Sequence, residues 1–264
     1  MKILDPLPPG NILINYEIEK YLKKLRPNRS LEIGSGNGQF TNILIKHSAH
    51  VTCIDFNKNA NDQNKLKNFE LFKKSKSLII NADFLNYNFE EKKYDLIISQ
   101  FVIEHLTESE ANKFVKKCHS MLSDYGSLIL LVPANMKYFS LEDEIYGHLR
   151  RYSYMSFSKI FKELEIKNFY IRGLTFPLSN LLFPLSKFIV NKNHNDEGLS
   201  NEEKTQKSGI RDEYLKAKFP KFFIIFLNKY FLYIFIILQN LFKFNKSNMV
   251  LMSISKNMTD SEKS

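Results

Sequence analysis

Apolar residues recur along this chain in two rhythms. Residues 12–25, ILINYEIEKYLKKL, put Ile12, Leu13, Tyr16, Ile18 and Tyr21 near one face at helical spacing, and Pro27 ends the segment. Apolar runs of strand length then appear at 30–33, 51–54, 77–80, 94–99 and 127–132. Helical segments separate most of these runs, most clearly 39–47 and 108–122; Thr107 with Glu110 three residues on is a capping-box start for the second. Strands alternating with helices imply right-handed crossovers and a parallel sheet covered on both faces. After the fifth run come a polar, aromatic loop (133–154), a helix over 156–164 and a sixth strand near 167–173. There the alternation stops. Residues 174–247 hold Pro-interrupted apolar pieces, a polar segment (191–209) and the long apolar run 222–242, and a last strand-like piece covers 249–255.

The predicted architecture is therefore α/β: a doubly wound, mostly parallel seven-stranded sheet with helices on both faces and a helical insertion before the last strand. Its divisions are an N-terminal helical segment (1–28), a core (29–173), an apolar, Lys-rich insertion (174–247), the final strand (248–256) and a disordered tail (257–264).

Composition narrows the class. With 264 residues, 44% hydrophobic and 25% charged, the chain is globular rather than disordered, collagen-like or disulfide-stapled. Cys53 and Cys118 stand far apart, in neither a CxxC nor a Cys/His spacing, so neither a disulfide framework nor a metal centre is expected. The N-terminus MKILDPLPPGN lacks a signal-length apolar run, which points to a reducing, cytoplasmic compartment. The net charge of +10 suggests an anionic partner, but 32 of the 38 basic residues are Lys and only six are Arg, the residue favoured for reading bases. No nucleic acid is expected. From 214 to 259 there is no acid at all, and the most apolar stretch of the protein lies in that span.

The candidate chemistry begins at residues 31–38, LEIGSGNG, where Gly34, Gly36 and Gly38 follow a strand and open a helix. Glycine lets the backbone turn sharply against a ligand, and the helix start offers free N–H groups. Gln39 stands where a dinucleotide fingerprint has its third glycine, which weakens a pyrophosphate reading. The second strand ends in Asp55, followed by Phe56, and its carboxylate suits two ribose hydroxyls. After the third strand, Asp83 suits an adenine amine and Phe84 an adenine face; the fourth strand ends at Gln100. All of these lie at carboxyl ends of strands, where open α/β sheets bind ligands.

Taken together, Glu32 to Gly38, Asp55, Asp83 with Phe84, and YDLIISQFVIEHL resemble the successive motifs of class I S-adenosylmethionine-dependent methyltransferases, over about residues 29–173. The resemblance implies that Glu32 and the three glycines hold the methionine part of S-adenosylmethionine, Asp55 the ribose and Asp83 the adenine amine, with Phe56, Phe84 and Gln100 beside them. A [DNS]PP[YF] run, which marks amino-methylating enzymes of nucleic-acid bases, is replaced here by SQFV, and neither Cys follows a Pro, so base methylation of DNA is not expected. Glu104-His105 is similar to a pair in the branch acting on small molecules, quinone precursors and glycans; His105 is a candidate base, or the pair positions the loop under the cofactor. DEIYGHLRRYS (143–153) resembles the GHxRRY segment of methyltransferases found with genes for surface polysaccharides and lipid-linked glycans. In it His148 is a candidate base and Arg150 or Arg151 a substrate anchor; the alternative is a network that orders the loop.

The run 222–242 approaches the length of a membrane span, but Asn228 and Lys229 interrupt it, and a central Lys costs about 2.5–3.5 kcal/mol on insertion. A span there would also strand the last strand across the membrane from its sheet. A helix against the core, or a pair of helices on an anionic membrane face, remains. The expected function is methyl transfer to a small-molecule, glycan or lipid-linked acceptor; the alternatives are a nicotinamide-dependent oxidoreductase and a non-catalytic, membrane-peripheral protein that keeps the fold.

Overall fold

The structure is a computed structural model that describes residues 7–90, 92–193, 203–204 and 227–257. Seven strands form one sheet: β1 (Arg29–Ile33), β2 (His50–Asp55), β3 (Leu78–Asn81), β4 (Tyr94–Gln100), β5 (Leu122–Pro133), β6 (Phe169–Leu174) and β7 (Val250–Lys256), in the order β3-β2-β1-β4-β5-β7-β6. The five strands β1 to β5 run parallel, and β7 lies antiparallel between β5 and β6, so the sheet is mixed. Strand order reverses between β1 and β4, and the crevice beyond their carboxyl ends is where such sheets take ligands.

Both faces are covered, as the alternation requires. On one, Ile14, Ile18 and Leu22 of α1 (Pro9–Leu25) and Leu44 of α2 (Thr41–His47) pack on Cys53, Leu96 and Ile98. On the other, Phe114 and Val115 of α5 (Glu108–Ser120) and Phe157 and Phe161 of α7 (Tyr154–Glu163) pack on Ile97 and Leu128. The capping box Thr107/Glu110 is present at the start of α5. α1 begins three residues earlier than its apolar rhythm, because Pro9 suits the first helical turn, where its missing N–H costs nothing. β5 starts at Leu122, before its apolar run, and pairs with Tyr94 across a register shift.

Two helices, α3 (Lys58–Lys67) and α4 (Phe69–Lys74), escape the apolar pattern, since α3 buries Ala60, Asn61 and Asn64 rather than an aliphatic stripe. A third, the short α6 (Leu141–Ile145), lies in the loop after β5.

The insertion contains α8 (Leu178–Asn193) and α9 (Tyr233–Leu241). Leu178, Leu232 and Ile236 pack on Ile12 and Leu13 of α1. Polar anchors reinforce this seam: the Gln239 carboxamide accepts the Thr175 N–H (3.1 Å), and Arg172 donates to Glu17 (2.9 Å) and to Asn240 (3.0 Å). The opposite faces expose Leu181, Leu185 and Phe188 on α8 and Tyr233, Ile234 and Leu241 on α9. Only the end of the apolar run 222–242 is thus helical among the described residues; 222–226, with Lys218, Lys221 and the tail 258–264, lies outside them. No helix among the described residues is long and apolar enough to cross a membrane.

Candidate active site

A pocket of about 420 Å³ opens at the carboxyl ends of β1, β2 and β4, bounded by Gly10 and Ile14 of α1 and by Ser179 at the start of α8. At one end lies the glycine loop. Gly38 has a φ of +76°, and a Cβ there would sit 2.1 Å from the Asn64 side-chain oxygen, so only glycine lets the loop close on α3. Gly36 donates its N–H to Asp55 Oδ2 (2.8 Å), while Asp55 Oδ1 accepts the Asn57 N–H (2.9 Å). Asp55 is buried, and burial raises its pKa; each carboxylate oxygen keeps a further acceptor site toward the pocket. Glu32 on β1 is buried as well and accepts from the Thr41 hydroxyl (2.6 Å) and the Cys53 thiol (3.5 Å); desolvation pushes its pKa up to about 7.

The asparagines of α3 and its C-cap brace this end of the pocket. Asn61 donates to the Asp55 carbonyl (2.8 Å) and to Asn81 (2.9 Å), Asn64 donates to Thr41 (3.1 Å), and Asn68 donates to the Gly38 carbonyl (2.9 Å). Sequence reading missed this shelf, and its only trace is the run NKNANDQNKLKN after Asp55.

Around the pocket, Phe56 is about half exposed, a ring free to cover a flat ligand. Asp83 is exposed and caps its own turn, accepting the Leu85 N–H (3.1 Å) and the Asn86 amide. Phe84 lines the pocket and also packs into the core against Phe89 and Phe114, with Lys117 over one face. Gln100 Nε2 and Ser35 Oγ are buried without a hydrogen-bond partner at the pocket. Phe101 holds a φ of +57°, a conformation costly for an aromatic residue, and it turns the chain off β4 into the turn Ile103–His105.

At the other end the loop after β5 folds back onto that turn. Gly147, at φ +72°, makes the reversal; Leu149 donates its N–H to the Glu104 carbonyl (2.9 Å), and the Tyr152 hydroxyl donates to the Ile103 carbonyl (3.1 Å). Asp143 is the hub of the loop. It accepts the Ser140 N–H (2.9 Å), His148 Nδ1–H (2.8 Å) and, in a fork, Arg151 Nε–H and Nη2–H (2.9 Å each). Burial alone would raise its pKa, but His148 and Arg151 hold it below the usual carboxylate range. Arg151 thus gives two of its five N–H donors to Asp143.

With Nδ1 fixed on Asp143, His148 turns Nε2 toward Glu104 Oε1 at 3.8 Å and sets its ring edge-to-face on His105, centroids 4.8 Å apart. His105 and His148 both line the pocket. Burial and the neighbouring His148 push the His105 pKa down to about 3, which keeps it neutral and makes it a weak base. Glu104 is fully buried, neither carboxylate oxygen has a hydrogen-bond partner, and desolvation raises it to about 7. No sequence spacing joins these three side chains; the fold of the β5 loop does.

Residues 31–130 match a family model described as a methyltransferase domain. Among curated proteins, the chain is similar to the phosphoethanolamine N-methyltransferase of Plasmodium falciparum, at 28% identity over 48% of this chain and 47% of that one. It is also similar to ribosomal RNA small subunit methyltransferase A of Mesomycoplasma hyopneumoniae, at 32% identity over 41% of this chain and 38% of that one. The match spans a fifth of the length of the wheat phosphoethanolamine N-methyltransferase 1. Among solved structures, the plantazolicin methyltransferase BpumL in complex with S-adenosylhomocysteine shares the fold at a TM-score of 0.55 and 16% identity, over 94% of this chain and 85% of that one. The methyltransferase domain of bacterial CtHen1 does so at 0.53 and 12%, over 94% and 99%.

Proposed function

We propose that this chain is an S-adenosylmethionine-dependent methyltransferase acting on a small-molecule acceptor. The observation that carries the reading is the set of groups at the carboxyl ends of β1, β2 and β4: two buried acids, Glu32 and Asp55, beside two buried polar atoms without partners, Gln100 Nε2 and Ser35 Oγ. An unpaired buried donor is costly unless a ligand satisfies it. The set fits a charged, hydroxyl-rich nucleoside: Glu32 and the glycine loop for its amino-acid part, Asp55 for its ribose, Phe56 and Asp83 for its base. S-adenosylmethionine supplies an electrophilic methyl group on a sulfonium sulfur. The chain's own contribution is to exclude water and to present the acceptor from the wall carrying His105, Tyr146 and His148. His148, oriented by Asp143, is the imidazole that faces the acceptor.

Calorimetry with S-adenosylhomocysteine tests this: one equivalent should bind, and NAD and NADP should not. Asp55→Asn should weaken binding by about 1–3 kcal/mol, because a charged acceptor for two hydroxyls becomes neutral. Unchanged affinity would remove the ribose assignment.

A finer reading is that the acceptor is a glycan or lipid-linked molecule met at an anionic membrane surface. It is supported by the exposed apolar faces of α8 and α9, by Lys243 and Lys246 beyond α9, and by Ser179, which joins α8 to the pocket. The similarity of DEIYGHLRRYS to glycan-linked methyltransferases points the same way. Vesicles containing anionic lipid should pull the protein down and release it as salt rises, since each near-surface Lys adds about 1 kcal/mol that screening removes. Sedimentation that is equal with neutral vesicles and insensitive to salt would count against it.

A further inference from the structure

We infer that Glu104, His105 and His148 form a binding site for one divalent first-row transition ion in the acceptor wall of the pocket. The inference rests on the methyltransferase reading for its meaning, since the ion would sit where the acceptor is presented, but not for its geometry.

Three independent features support the site. The first is convergence. One ligand atom from each of the three side chains lies within 4.8 Å of the others, with His148 Nε2 and Glu104 Oε1 already 3.8 Å apart. Around an ion bound at about 2.0–2.2 Å such atoms stand about 3–3.5 Å apart, so small side-chain adjustments close the set. The second is the state of Glu104. A carboxylate with no exposed surface and neither oxygen hydrogen-bonded is a rare and expensive arrangement, and an ion relieves it directly. The third is the outer shell. Metal-binding imidazoles commonly donate their second ring N–H to a carboxylate or a backbone carbonyl, which fixes tautomer and orientation. His148 does so to Asp143, and the His105 ring hydrogen-bonds the Gly147 backbone. Arg151 and the capping contacts of Ser140 hold Asp143 in turn.

Two nitrogens and one carboxylate select an ion such as Zn²⁺, Co²⁺ or Mn²⁺ over Mg²⁺, which favours oxygen ligands and retained water. The imidazoles line the pocket and Glu104 lies behind them, so open coordination positions face the acceptor. The acceptor class this selects offers an oxygen donor, a hydroxyl or a phosphate oxygen, close to the atom to be methylated. His148 then acts as a ligand that places the acceptor rather than as a free base.

The test uses the full chain, stripped with chelator, titrated with Co²⁺ and followed by visible absorption, then by competition with Zn²⁺ and with Mg²⁺. One equivalent of Co²⁺ should bind with ligand-field bands, Zn²⁺ should displace it and Mg²⁺ at the same concentration should not. Glu104→Gln and His105→Asn should each abolish the bands, and Asp143→Asn should weaken binding about 10- to 100-fold. Absence of stoichiometric binding, or unchanged spectra in both Glu104→Gln and His105→Asn, overturns the site. S-adenosylhomocysteine binding is measured on the same samples. Cofactor binding without Co²⁺ binding defeats this inference alone; Co²⁺ binding without cofactor binding defeats the methyltransferase reading and leaves the ion site standing.

Discussion

Glu32 and Glu104 are both buried glutamates that desolvation lifts to about 7, and they serve opposite ends of the site. Their surroundings differ. Glu32 accepts from Thr41 and Cys53, within a shelf that Asn61, Asn64 and Asn68 complete, whereas neither carboxylate oxygen of Glu104 is hydrogen-bonded and its nearest partner, His148 Nε2, stands 3.8 Å away. The Glu32 end is thus knitted together by the chain itself. At the Glu104 end the hydrogen bonds lie one layer further out, on Asp143. On the proposed reading, that asymmetry marks the end at which an outside group completes the site.

The largest effect should come from removing the hub of the acceptor end. Asp143→Ala leaves Arg151 and His148, both mostly buried, without their shared carboxylate, and also uncaps α6. Breaking a buried charge network from one side costs about 3–5 kcal/mol. Urea unfolding should show that loss, while S-adenosylhomocysteine affinity, built from the other end, should hardly change. A matching collapse of cofactor affinity would mean that the two ends are one cooperative unit, and the contrast would fail.

The two ends were also unequally legible in the sequence. The strands, the glycine loop and Asp55 follow from strand-length apolar runs that end in chemistry-bearing residues, and each local rhythm agreed with the global fold. The asparagine shelf did not show, because α3 buries amides instead of aliphatic groups and so lacks the period that betrays a helix. That Phe84 also packs on Phe89 and Phe114 did not show either, because an aromatic residue after a strand carries no mark of which neighbours it meets. His148 and Glu104 were each visible, yet their meeting depends on a left-handed Gly147 and on the Leu149 and Tyr152 hydrogen bonds, which link positions 45 and 49 residues apart and leave no spacing signature. The two bonds by which Arg151 holds Asp143, eight residues earlier, likewise have no mark in the sequence.

A smaller effect, of opposite sign, should follow at the cofactor end. In the folded chain Glu32 holds its proton up to about pH 7, against an ordinary 4.5 when unfolded. Between those values the folded state binds more protons than the unfolded one, so stability falls as pH rises through the window and the full penalty is present above it. At 1.36 kcal/mol per unit the penalty is about 3 kcal/mol. Glu32→Gln keeps an acceptor for Thr41 and removes the charge, so its melting temperature at pH 8 should exceed that of the unaltered chain, and the two should converge near pH 4.5. The same variant should bind S-adenosylhomocysteine more weakly. A variant less stable at pH 8 would show that the charge of Glu32 is already compensated without a ligand.

The smallest effect isolates the shelf. Asn64 donates to Thr41 and accepts from Asn68, so its amide links the residue that holds Glu32 to the residue that holds the Gly38 carbonyl. Asn64→Ala removes both links but leaves Thr41 its bond to Glu32 and Asn68 its bond to Gly38, so the expected loss of stability is about 2 kcal/mol, the ordinary net worth of two hydrogen bonds. Cofactor affinity should fall by more than that loss suggests, because the loop next to the ligand loses its brace, while ion binding at the far end should stay as it was. Equal falls in cofactor and ion binding would mean that strain at the shelf is carried across the sheet. No fall in cofactor affinity would mean that Gly36 and Asp55 hold the loop without help from α3.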